Sequence, residues 1–194
     1  MTVVLLVVMG AVLIGYARGG SLATLSHLSL PGWPLVFLAL AAQGLGALVA
    51  ATSSLAPRAA YVAGLLVSAV LVTAFMVRNR HLRGVPLIAA GFVLNAAVVA
   101  ANGAMPVSLW AARHAGIETA GLVAGTDVRH EVATDATRLR LLADVIPVPT
   151  PVDRARSVVS AGDVVLAAGI GVLVTNAMVR PGVGRRAQRL AAGT

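Results

Sequence analysis

VPLIAAGFVLNAAVVAANGAMPVS, residues 85–108, decides the fold. Its first seventeen residues carry no charge, and a helix needs about 20 apolar residues at 1.5 Å each to cross a hydrocarbon core of about 30 Å. Asn102 and Gly103 adopt positive φ readily and Pro106 cannot continue a helix, so the run ends as a helix would end. Working outward, four more uncharged runs emerge, and together they give spans at about residues 2–17, 33–55, 59–77, 85–101 and 161–179. The first is short. Arg18 follows its apolar stretch and no basic region precedes it, so it is read as a retained span and not a cleaved signal.

Composition agrees. Of 194 residues, 58% are hydrophobic and only 11% charged, whereas soluble domains have roughly a quarter charged. The formal charge of +8 rests on fifteen arginines and no lysine. These lie between the apolar runs, so membrane topology explains them before nucleic acid does, and no nucleic-acid partner is expected. Cysteine is absent, which excludes disulfides and thiolate metal sites.

Five spans put the chain ends on opposite sides. One side collects Arg18, Arg78, Arg80, Arg83, Arg180, Arg185, Arg186 and Arg189 with no acid. The other mixes seven arginines with Glu118, Asp127, Glu131, Asp135, Asp144 and Asp153. Arginine-rich short connections stay inside, so the N-terminus is expected outside and the basic tail, residues 180–194, in the cytoplasm. Residues 1–179 form a single helical domain in this reading, with the lipid bilayer as its first partner and a membrane protein or a second copy as others.

Small residues recur at every fourth position on spans two and three: Ala42, Gly46, Ala50 and Ser54, then Ala60, Gly64 and Ser68. Such stripes let backbones approach closely in lipid. Between spans four and five lies one polar segment, about residues 105–157. Val128, Val132, Ala136, Leu139, Leu142 and Ile146 recur there at intervals of three or four, which predicts an amphipathic helix on the outer surface. PVPTP, residues 147–151, then forces an extended connector.

Asn95 and Asn102 lie about two turns apart on one face, roughly 10 Å along the axis. An amide in hydrocarbon needs partners, so Asn95 must face a helix, with Gln43, Ser68 and Thr73 as candidates. Asn102 can be a helix end, a ligand contact, or both. Asp163 is the one acid inside a span, which marks it for function. Yet Ser160 and Asp163 also stand in the spacing of a capping box, with the acid at the positive end of the helix dipole. Asp144, embedded in LLADVIPV, can cap, pair with Arg140 or face the same pocket. The polar cluster is therefore Asn95, Asn102, Asp144 and Asp163, with Gln43, His130, Arg138 and Ser160 as secondary members.

HEVAT, residues 130–134, lacks the second histidine of a zinc helix, and no other spacing supports a metal. No phosphate loop, dinucleotide fingerprint or nucleophile elbow is present, and no cofactor is expected. The leading function is a non-enzymatic membrane component that binds a partner or small ligand near the outer interface. The alternatives are an enzyme acting on a lipid or isoprenoid-linked substrate from outside, and a small transporter.

NGAMPVS (residues 102–108), LLADVIPVP (141–149) and SAGD (160–163) together resemble a family of uncharacterised bacterial multi-span membrane proteins, a domain of unknown function. The resemblance is strongest from Gly91 to about Leu173. Ala104 stands where the family more often has a second glycine. The resemblance implies a membrane fold in which Asn95, Asn102, Asp144 and Asp163 are recurring polar positions, and it implies no activity.

Orientation is directly testable. A reporter fused after Gly125 is expected to report an extracytoplasmic position, and activity there of a reporter that works only in the cytoplasm would reverse the topology.

Overall fold

A computed structural model describes residues 2–52, 57–127 and 129–179. The apolar runs form helices α1 (Thr2–Ala17), α2 (Pro34–Thr52), α3 (Pro57–Asn79), α4 (Val85–Asn102) and α7 (Ala161–Val179). Among the described residues, α2, the stretch Ala59–Asn79 of α3, α4 and α7 are long and apolar enough to cross a membrane; α1 is apolar but shorter. Leu38, Leu45, Leu66, Val70 and Val93 are exposed on these helices, an outer surface suited to hydrocarbon and not to water. Pro86 sits in the first turn of α4, where its missing N–H breaks no helical bond. The end of the second expected span, residues 53–55, and the basic tail, residues 180–194, lie outside the described residues.

Helix α7 is the centre of the bundle. α1 runs parallel to it, with Val7 against Gly171, Gly15 against Met178, and Thr175 Oγ1 donating to the Ala11 carbonyl at 3.1 Å. α4 lies antiparallel on another side, where Gly84 faces Gly169 and Gly91 faces Gly162, backbone against backbone. Two glycines seven residues apart on each helix keep the contact open along two turns. α2 and α3 form a separate antiparallel hairpin, in which Gly46 and Gly64 meet and Gln43 Nε2 donates to Ser68 Oγ at 2.7 Å. The small-residue stripes are therefore packing surfaces, except for Ser54, which lies outside the described residues. The hairpin leans less closely on α4 and leaves a groove between them.

The polar segment departs from expectation. It is not an amphipathic helix, so the all-helical class is corrected to a helical bundle with a small mixed cap. β1 (Met105–Val107) pairs in parallel with β2 (His130–Val132), and β3 (Ile146–Val148) pairs antiparallel with β4 (Ser157–Val159). Short helices α5 (Leu109–Ala115) and α6 (Ala120–Val123) fall between β1 and β2. Residues 129–133 cannot be helical because their backbone groups serve β1: Met105 N donates to Arg129 O, and Ala133 N to Val107 O, both at 2.9 Å. Side chains also take over the local backbone. Asp127 Oδ1 accepts from Arg129 N and Thr137 Oγ1 from Thr134 N, each at 2.8 Å, which is how short polar side chains displace helix. Leu139 adopts φ 54°, incompatible with a continuing helix. Of the supposed apolar face, Val128 lies outside the described residues.

Close approach yields a prediction. A Cβ at Gly91 would collide with the Gly162 carbonyl, while one at Gly44 would meet nothing within 4 Å. Gly91→Ala is expected to lower stability in detergent by about 1–3 kcal/mol. Gly44→Ala should be neutral or stabilising by up to about 1 kcal/mol through helix propensity. Equal melting curves for the two variants would refute the backbone-contact reading.

Candidate functional site

The polar residues singled out from sequence separate into a structural junction and an open cavity. At the junction, Asn95 faces α7, and Gln43 and Ser68, its expected partners, bond to each other instead. Asn95 Nδ2 donates to Asp163 Oδ1 at 2.7 Å, and Asn95 Oδ1 accepts from Ser160 Oγ at 2.8 Å. Ser160 Oγ in turn accepts from Asp163 N at 3.0 Å, while Ser160 N donates to Asp163 Oδ2 at 3.1 Å. This is the reciprocal capping box, closed by an amide from a second helix. Ser160 is fully buried within it.

Asn102 engages a different partner. Its Nδ2 donates to Val98 O at 2.8 Å and to Arg138 O at 3.0 Å, and its Oδ1 accepts from Arg138 N at 2.9 Å. Gly103 follows in the left-handed conformation, φ 87°, and its N–H closes the helix on Val99 O. Asn102 thus ends α4 and clamps the returning chain through the Arg138 backbone. The two asparagines do not share a partner.

Asp144 sits elsewhere again. Its backbone flanks β1 on the side opposite β2, with Asp144 N donating to Pro106 O and its carbonyl accepting from Ser108 N, both at 2.9 Å. Asp144 is 7% exposed, and its Oδ1 is buried with no hydrogen-bond partner among the described residues. Arg140, considered a partner for it, pairs with Asp135 at 3.1 Å on the surface. Burial, with the negative charge of Asp163 nearby, raises the Asp144 carboxyl to about 7 against the opposing pull of His130.

Asp144 lines a cavity of about 410 Å³ in the cap, together with Glu118, Asp127, His130 and Ser157. His130 Nδ1 lies 2.8 Å from Asp127 Oδ2. Burial would raise the Asp127 carboxyl, but the hydrogen bonds from the His130 ring and the Arg129 N–H outweigh it and hold it below the ordinary value. Ser157 Oγ is a second buried atom of this lining without a partner among the described residues. Val107, Ile117 and Leu122 supply apolar wall. Among the described residues no group of three or more histidines and carboxylates is arranged to hold a metal ion.

A second cavity, of about 290 Å³, is the groove between the α2–α3 hairpin and α4. Leu65, Phe92 and Val99 dominate it, Gln43 and Asn95 give it two amide edges, and Gly103 marks its cap end.

Sequence reasoning named Asp144 and His130 but not Glu118 or Ser157 as members of a site. Neither has a signal in the sequence, because both reach the cavity from loops and strands whose partners are distant in the chain.

Neither a curated protein nor a solved structure matches the chain. A family profile described as a family of unknown function, DUF5317, matches residues 27–175, which takes in α2 to α4, the whole cap and most of α7. With the junction, the clamp and the cavity all inside that match, the chain belongs to the DUF5317 family.

Proposed function

We propose that the chain is a five-span protein of the bacterial inner membrane, N-terminus outside and C-terminus cytoplasmic, whose extracytoplasmic cap binds a small ligand around Asp144. α1, at 16 residues, spans about 24 Å and so falls short of a full hydrocarbon core. Its parallel packing along α7 supports counting it as a span, with the mismatch absorbed by local thinning. The lipid bilayer is then the constant partner, and the exposed helix faces leave room for a membrane-protein partner or a second copy.

One observation carries the ligand reading. A nearly buried carboxylate is held by its backbone at the wall of a cavity, and one of its oxygens has no partner among the described residues. Buried polar groups are satisfied as a rule, and leaving one unpaired costs about 1–3 kcal/mol. A fold that tolerates this at the edge of a ligand-sized space is arranged for an occupant. Asn95, Ser160 and Asp163 are positioning residues in this reading, and Asn102 with Arg138 fixes the cap over the bundle. Gln43 belongs to the hairpin contact.

A second reading has its own support. A carboxyl near pKa 7 is poised for general acid or base work, so Asp144 would be the catalytic group of an enzyme acting on a lipid or isoprenoid-linked substrate. Asp144→Asn at normal expression separates the two readings. Binding alone leaves the lipid composition of the producing cell unchanged, whereas accumulation of an unprocessed lipid would establish the enzyme.

The raised pKa also predicts a pH profile. Between the unfolded value near 4 and the folded value near 7, the native state holds a proton that the unfolded state has lost. Stability must therefore fall as pH rises across that window, by a few kcal/mol in all at about 1.4 kcal/mol per unit. Asp144→Asn should remove this slope and melt higher than wild type at pH 8. Parallel melting profiles between pH 5 and 8 would contradict the burial of an unpartnered carboxyl.

A further inference from the structure

We propose that the cap cavity takes the ammonium group of a primary amine, carried either by a small free molecule or by the headgroup of an outer-leaflet lipid. The inference rests on the ligand-binding reading above and names its chemistry.

Charge gives the first argument. Glu118, Asp127 and Asp144 line the cavity with one histidine, and among the described residues no arginine lines it. Two cap arginines have partners elsewhere. Arg140 pairs with Asp135, while Arg156 pairs with Asp153 at 2.8 Å and donates to the Gly116 carbonyl. His130 is paired with Asp127, and Glu118 and an ionised Asp144 still leave the space negative.

Hydrogen bonding gives the second. Asp144 Oδ1 and Ser157 Oγ are buried without partners among the described residues. A primary ammonium brings three donors and needs no acceptor in return, so it satisfies the carboxylate without leaving a new group unpaired. A phosphate or carboxylate ligand would instead set charge against charge. Val107, Ile117 and Leu122 offer the carbon skeleton an apolar surface.

For a lipid source, an apolar groove lies on the membrane side of the cap. Tyr61, at the cap end of α3, is within electrostatic reach of Asp127 and Arg129. Val62 and Leu65, its neighbours on the same helix, line the intramembrane groove that ends at Gly103.

Affinity should depend on pH. A cation favours ionised Asp144, whose facing charges are His130 and Asp163, with Glu118 and Asp127 across the cavity. Binding should strengthen as pH rises through about 7.

The test uses the full chain in detergent and in nanodiscs. Ethanolamine, tetramethylammonium, inorganic phosphate and glycerol are titrated while melting temperature and amide exchange over residues 117–132 are followed. Ethanolamine should stabilise and protect the cap, and bind at least tenfold more tightly than tetramethylammonium, which has no N–H. Asp144→Asn and Glu118→Gln should each weaken it tenfold or more, and Asp144→Asn should abolish its pH dependence. Since Asp144→Asn is expected to fold more stably at pH 8, loss of binding there is not loss of structure. Nanodiscs of phosphatidylethanolamine against phosphatidylglycerol separate the sources: protection by the former without an effect of free ethanolamine assigns the amine to lipid. Cap protection by phosphate or glycerol but by no amine overturns the amine and keeps the ligand site. No protection by any probe or either lipid overturns both.

Discussion

Two helices that touch backbone to backbone hold the rest of the molecule in place. Where Gly84 and Gly91 of α4 meet Gly169 and Gly162 of α7, no side chain separates the rods. In lipid such contacts stabilise through van der Waals packing, since apolar side chains gain nothing by leaving apolar solvent. The approach also sets a distance. It brings the Asn95 amide against the first turn of α7, where Ser160 and Asp163 both donate and accept. In a medium of low dielectric these bonds are strong when complete and costly when broken, so the network fixes rotation and depth of α4 against α7 together.

Depth at this point matters because the cap is tied to the bundle on both sides of it. Asn102 ends α4 and grips Arg138, and β4 leads through Ser160 directly into α7. Between those anchors β1 receives β2 on one edge and Asp144 on the other. The cavity thus borrows its rigidity from a helix pair that contributes little to its wall. The contrast between the two acids follows. Asp163 has both carboxylate oxygens occupied by the protein, whereas Asp144 has its backbone fully used and one side-chain oxygen without a partner among the described residues.

Much of the bundle was legible because hydrocarbon imposes a simple rule. Uncharged runs near twenty residues must be helical, and glycine, alanine and serine at every fourth position mark where such helices meet. The Ser160–Asp163 box was legible because capping is local. The cap was not, and for the opposite reason. Val132, Ala136 and Leu139 carry a helical spacing, but the bonds that decide their conformation come from β1, some 25 residues earlier, and from Asn102 on another element. Periodicity reports which residues are apolar and is silent about a distant strand edge. The same non-locality hid Glu118 and Ser157, while Asp144 could be noticed because its apolar neighbours made an acid conspicuous.

The electrostatic link between Asp163 and Asp144 ties the two halves into one system. Asp163 closes a capping box at the positive end of α7, and its negative charge is felt at Asp144, whose burial already favours the neutral form. Among the described residues His130 opposes it, but its ring is committed to Asp127. The neighbouring cavity is where compensation can enter, either as a proton on Asp144 or as an external positive charge. Solvent protons and a bound cation therefore compete for the same carboxylate, and the helix cap sets the terms of that competition without lining the space in which it occurs.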